Sequence, residues 1–132
     1  MNERGSMLPY LGALFFVGFV LLGLALDVAL LAGTYREAAV AADAGAEAGA
    51  AQLDATAVYD GEMRLDTDAA VAAAETASLR AQPRPGRSAA ATTDGIEVCV
   101  VVTDRFEPRI LGGVGIGSEG IAVRACATPR QG

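Results

Sequence analysis

The sequence predicts an α+β protein: a long N-terminal transmembrane helix continuing into an alanine-rich helix, a second short helix, then a small antiparallel β-hairpin region. Three observations predict it. Met7 to Leu26 contains no charged residue, and twenty residues of helix measure about 30 Å, the thickness of a bilayer core. The stretch that follows, to Val58, is dominated by alanine, the strongest helix former, and nothing ends a helix before Tyr59-Asp60-Gly61. The last third is β-branched and punctuated by Asp-Gly and glycine, the pattern of strands and turns.

Composition narrows the function. With nearly thirty of the 132 residues assigned to a membrane segment, about a hundred remain for one small, thinly cored domain. Four of the seven aromatic residues, Tyr10, Phe15, Phe16 and Phe19, lie in the membrane run, leaving Tyr35, Tyr59 and Phe106 for the rest. There is no histidine, so the commonest general base and metal ligand is missing. All ten basic residues are arginine, and a net charge of −6 is unsuited to neutralising nucleic-acid phosphates. Ten acids against Arg36 and Arg64 fall between Asp27 and Glu75, whereas seven arginines against five acids follow Ser78.

Residues 1–6 read as a cytoplasmic head, because Arg4 beside the membrane run favours the inner side. Residues 7–34 form the transmembrane helix, with Pro9 at a first-turn position that loses no hydrogen bond. The run is too long for the apolar core of a secretory signal. Ala25-Leu26-Asp27 makes a poor cleavage site and Leu30 to Gly33 lies late, so an uncleaved anchor is expected. Asp27 interrupts the run at the membrane edge. It either reaches out to the interface or meets a polar or basic group on a neighbouring helix.

The helix is expected to continue over residues 35–58, giving about fifty residues and about 75 Å of rod. Ala38, Ala41, Ala42, Gly45 and Gly49 form a stripe at three- and four-residue spacing, of the kind that lets helix backbones approach closely, although alanine-rich composition alone would also produce it. A second helix is expected within 66–81, from Ala69 to about Arg80, with Asp66-Thr67-Asp68 supplying its acidic N-cap. Asp66 and Asp68 lack the later glycine and glutamate of a calcium loop. Residues 82–94, opening with Gln82-Pro83-Arg84-Pro85-Gly86, read as a linker.

Residues 95–132 form the β region. Ile96 to Thr103 and Gly120 to Thr128 read as its two strands. Between them, Phe106 to Ser118 is an apolar, glycine-rich loop suited to touching lipid or a partner subunit. Gly112, Gly113, Gly115 and Gly117 lack the lysine and the strand-to-helix setting of a phosphate loop. In the first strand Ile96, Val98, Val100 and Val102 share a face and Cys99 lies opposite. In the second, Ile121, Val123, Ala125 and Ala127 share a face and Cys126 lies opposite. An antiparallel register that sets Cys99 against Cys126 also sets Val100 against Ala125 and Val102 against Val123. An even pair outside the membrane is expected to oxidise, the alternative being two free buried thiols. No nucleophile–base set, cofactor loop or metal-ligand spacing emerges. Neither enzyme activity, a cofactor, a small-molecule substrate nor a nucleic-acid partner is expected.

The first half resembles the TadE/TadG-type proteins of the bacterial tight-adherence (Tad, or Flp) pilus systems. The resemblance rests on Arg4-Gly5-Ser6, on an acid near the outer end of the membrane helix (Asp27), and on the run Ala41-Ala42-Asp43-Ala44-Gly45-Ala46-Glu47-Ala48-Gly49-Ala50. It covers roughly Arg4 to Leu53, and the Arg124-Ala125-Cys126-Ala127-Thr128 ending is similar too. It implies a pseudopilin-like or minor-pilin component of pilus assembly or an allied secretion machine. Its partners would be the membrane and other pilin-like or pilus-assembly proteins met through the N-terminal helix. It implies the bacterial cytoplasmic membrane, single-pass, N-terminus inside and C-terminal region outside, with the cell surface or the pilus as further destinations. TadE-type chains are processed after a glycine, here Gly5 before Ser6, and carry glutamate five positions on, where this chain has Tyr10. An uncleaved, TadG-like anchor is therefore implied. The other reading is a membrane-tethered extracellular binding module stapled by one disulfide.

Overall fold

Nothing between Met7 and Ala50 interrupts helical hydrogen bonding. In the computed structural model, which describes residues 7–130, helix α1 runs unbroken over Met7–Ala50, about 66 Å. From Pro9 to Leu22 every side chain is exposed, and this apolar portion makes α1 long and apolar enough to cross a membrane. Beyond it a buried stripe begins. Asp27, Thr34, Ala38, Ala41, Ala42, Gly45, Ala46, Gly49 and Ala50 face the rest of the protein. One helix is thus lipid-compatible at one end and core-forming at the other.

The helix ends at Ala50 rather than Val58. The Asp54 carboxylate accepts the N–H groups of Thr56 (2.8 Å) and Ala57 (3.4 Å) and starts a separate short helix, α2 (Ala55–Tyr59). The Asp54 N–H donates to the Arg64 carbonyl and the Asp66 N–H to the Gln52 carbonyl, closing the reversal around a Leu53–Leu65 bridge. Leu65 is buried there. Two polar residues and a buried leucine thus break the rod, and Ala55 and Ala57 keep their helical conformation only in the separate α2.

Helix α3 (Thr67–Ala81) is capped by Asp66, whose carboxylate accepts the Ala69 N–H at 3.1 Å. Asp68 lies in its first turn and Arg80 in its last, both favourable to the helix dipole. It returns antiparallel along α1, Ala70, Ala74 and Ser78 facing the small-residue stripe. A Cβ placed on Gly45 would lie 2.7 Å from the Ala74 carbonyl oxygen and strike the Ser78 hydroxyl. One on Gly49 would lie 2.9 Å from the Ala70 carbonyl. The stripe therefore permits close helix approach, with the chain's own α3 as the neighbour.

Both helices cover one face of a three-stranded antiparallel sheet, order β1–β2–β3. Strand β2 (Val98–Phe106) is central and β3 (Glu119–Ala127) pairs it on one side, setting Cys99 against Cys126 and Val102 against Val123. The third strand, β1 (Ser88–Thr93), falls in the segment that the sequence suggests is a linker. Alanine hides it. Ala89 and Ala91 need only a small side chain to pack beneath the helices, and the Glu75 carboxylate on α3 accepts the Ala91 N–H at 3.2 Å.

Strand β2 also begins two residues later than expected. Asp94 accepts the N–H groups of Ile96 (2.9 Å) and Glu97 (2.8 Å), drawing them into the β1–β2 turn, where Gly95 takes a positive φ of 88°. These bonds, that from Glu97 foremost, favour the ionised carboxyl and hold Asp94 below its ordinary pKa.

The helix seam makes a testable contrast. Gly45→Ala should destabilise the full chain by about 1–3 kcal/mol through overpacking. Gly33→Ala, which meets nothing within 4 Å, should be neutral or stabilise by up to about 1 kcal/mol through helix propensity. Thermal unfolding in detergent distinguishes the two; equal effects would remove the close-packing explanation.

Candidate functional site

The sites follow from where polar residues interrupt apolar patterns. On β2 the inward parity is Val98, Val100, Val102, Asp104, Phe106, so an acid occupies a core position. Its partner is Arg87, which enters from the turn between α3 and β1. Arg87 Nη2 and Nε donate to Asp104 Oδ2 at 2.7 and 3.1 Å, and Arg87 Nη1 donates to the Gln82 carbonyl. The two side chains are 1% and 2% exposed. Arg84 and Glu37 extend the cluster, with Arg84 Nη1 3.3 Å from Glu37 Oε2 and 3.7 Å from Asp104 Oδ2. Glu37 also lies 3.6 Å from Arg87 Nη2. The network joins α1, the α3–β1 turn and β2. Read from the sequence, Arg87 belonged to a linker and Asp104 to a strand boundary; the acid's even-numbered position among buried valines was the available signal.

Beside this network lies a cleft of about 1190 Å³, walled by α1 from Ala29 to Glu37, by Arg84 to Gly86, and by the end of β2 with Arg105, Glu107 and Arg109. Its inner charges belong to the ion-pair network, which is suited to holding elements together and contains no nucleophile–base pair. Glu97, Cys99 and Cys126 bring metal-ligating side-chain types within reach of one another, but the two sulfurs are bonded to each other. That disulfide spans β2 and β3 on the sheet face turned away from the helices.

Asp27 finds its partners within the chain. It is buried, and its carboxylate accepts the backbone N–H groups of Arg109 (3.1 Å), Ile110 (3.2 and 3.3 Å) and Leu111 (2.8 Å). These open a short 3-10 turn, Leu111–Val114. Ile110 packs on α1 at Gly23, its Cγ2 2.7 Å from where a Cβ would sit. The apolar loop between β2 and β3 is thereby fastened to the membrane-compatible part of the helix. Ala38, Ala41, Ala42, Gly45 and Gly49 pack within the chain, and Gly5 and Ser6 lie outside the described residues.

The chain matches no protein-family model, no curated protein and no solved structure. The functional argument therefore rests on the geometry together with the sequence resemblance.

Arg87→Met would strand a buried Asp104 carboxylate and should cost about 3–5 kcal/mol, whereas Arg87→Met with Asp104→Leu should restore most of it, because no charge is then buried. Denaturant unfolding of both variants checks this; equal losses would show that shape rather than charge matters. Reducing Cys99–Cys126, which closes a separation of 27 residues, should lower stability by roughly 3–4 kcal/mol in the loop-entropy picture. Unfolding midpoints with and without reductant, with intact mass to confirm the bond, provide the measurement.

Proposed function

We propose that this chain is a membrane-anchored, pilin-like structural component of TadE/TadG type, acting in the biogenesis of a Tad (Flp) pilus or of an allied secretion machine. One observation carries the reading. A single uninterrupted helix is bare and apolar over Pro9–Leu22, then becomes the core helix of a small head built on an antiparallel sheet. A bare tether would need no such continuity; a rod that transmits the position of the head to the membrane does. The disulfide suits an oxidising compartment, which supports reading the head as outside the bacterial cytoplasmic membrane and the N-terminus as inside. The N-terminal helix remains uncleaved, and the reading assigns no catalytic step.

Because the Ala38–Gly49 stripe is covered by α3, contacts with other assembly proteins fall to the exposed half of α1, including Leu14, Phe15 and Phe19. A second reading, a membrane-tethered extracellular binding module, draws on the cleft between α1 and β2.

The two separate by their membrane partners. A photo-crosslinker at Leu14 or Phe19 should capture helices of other pilus-assembly proteins under the first reading and none under the second. Pilus assembly and secretion that survive loss of the protein would sink the first.

A further inference from the structure

We propose that the loop Ile110–Gly117 is a second membrane contact, an apolar tip that enters the interfacial layer of the bilayer beside α1. The inference rests on the reading of α1 as a membrane span and goes beyond it. Ile110-Leu111-Gly112-Gly113-Val114-Gly115-Ile116-Gly117 carries no charge, and Arg109 and Glu119 stand on either side. Ile110 and Ile116 are 46% and 49% exposed, and the glycines of the loop face open space. For a loop fastened at two points this is an unusual surface: it shows isoleucine where a water-facing loop would show polar groups.

Its depth decides the occupant. Ile110 packs at Gly23, four residues inside the end of the charge-free run at Asp27, about 6 Å further along the helix toward the membrane. The loop surface is thus continuous with the exposed apolar surface of α1, which lipid covers. The polar groups around Asp27 are paired at that depth as well. In a medium without water a carboxylate and backbone N–H groups each need a partner, and Asp27 with the N–H groups of Arg109, Ile110 and Leu111 satisfy one another. Arg105 and Arg109, on the cleft wall just above, have the length to reach headgroup phosphates.

The protein contains no tryptophan, so single tryptophans report cleanly. Four variants of the full chain, Phe15→Trp, Gly113→Trp, Ile116→Trp and Tyr59→Trp, would be reconstituted into phosphatidylcholine–phosphatidylglycerol vesicles containing lipids brominated along the acyl chain. Phe15 marks the span and Tyr59, 93% exposed, marks the far end of the head. Loss of emission with a blue shift for the Phe15→Trp variant and for either loop variant, with Tyr59→Trp unaffected, supports the proposal. Quenching of Phe15→Trp while both loop variants emit as in water overturns it and leaves the span intact. An unquenched Phe15→Trp overturns both. Quenching of Tyr59→Trp as well also overturns it, because the head would then lie against lipid throughout.

Discussion

The structure depends on how closely α1 and α3 approach. A core made of alanine buries little area per residue, so its cohesion comes from contact density between backbones rather than from large side chains. Gly45 and Gly49 on α1 meet the Ala70 and Ala74 carbonyls and Ser78 on α3 with no room for another carbon. That seam then offers the sheet a nearly flat surface, on which Val98, Val100, Val102, Ile121 and Val123 supply most of the larger apolar groups. Because α1 is one half of the seam, the head cannot be detached from the rod without losing its core.

An alanine surface is also nearly uniform, so shape alone distinguishes one register poorly from the next. Directional polar contacts supply what shape does not. The buried Arg87–Asp104 pair fixes the α3–β1 turn against β2, and Glu37 ties both to α1. Replacing such a pair with apolar residues is often energetically neutral, which makes position rather than net stability its plainest role. Asp27 does the same lower on the rod, where three backbone N–H groups hold the β2–β3 loop at one height along the helix. The head is thus pinned at two levels, both on the membrane side of the seam.

The disulfide stands apart from this arrangement. It lies on the sheet face that no helix covers and links β2 to β3, while the cap residues Asp54 and Asp66 and the Asp94 turn set the chain reversals. Each is a local device, and together they let a chain with few aromatics and a thin core take up one arrangement.

What the sequence determined by itself was whatever is local or periodic. The uncharged run from Met7, the acidic cap within Asp66-Thr67-Asp68, and the strand parity that sets Cys99 against Cys126 all follow from spacing that a single segment carries. What only the tertiary structure decided was every choice of partner. The stripe from Ala38 to Gly49 announced close helix packing, but its neighbour proved to be α3. Asp27 announced an acid that either reaches the interface or meets a neighbouring helix, but its ligands came from residues of the same chain more than eighty positions away. The strand Ser88–Thr93 was invisible because alanine has no strand preference of its own; it is a strand because β2 has an edge to pair and α3 a face to cover it. Asp104 broke the valine alternation in plain view, yet only Arg87, brought in by the turn after α3, explains why an acid can stand there.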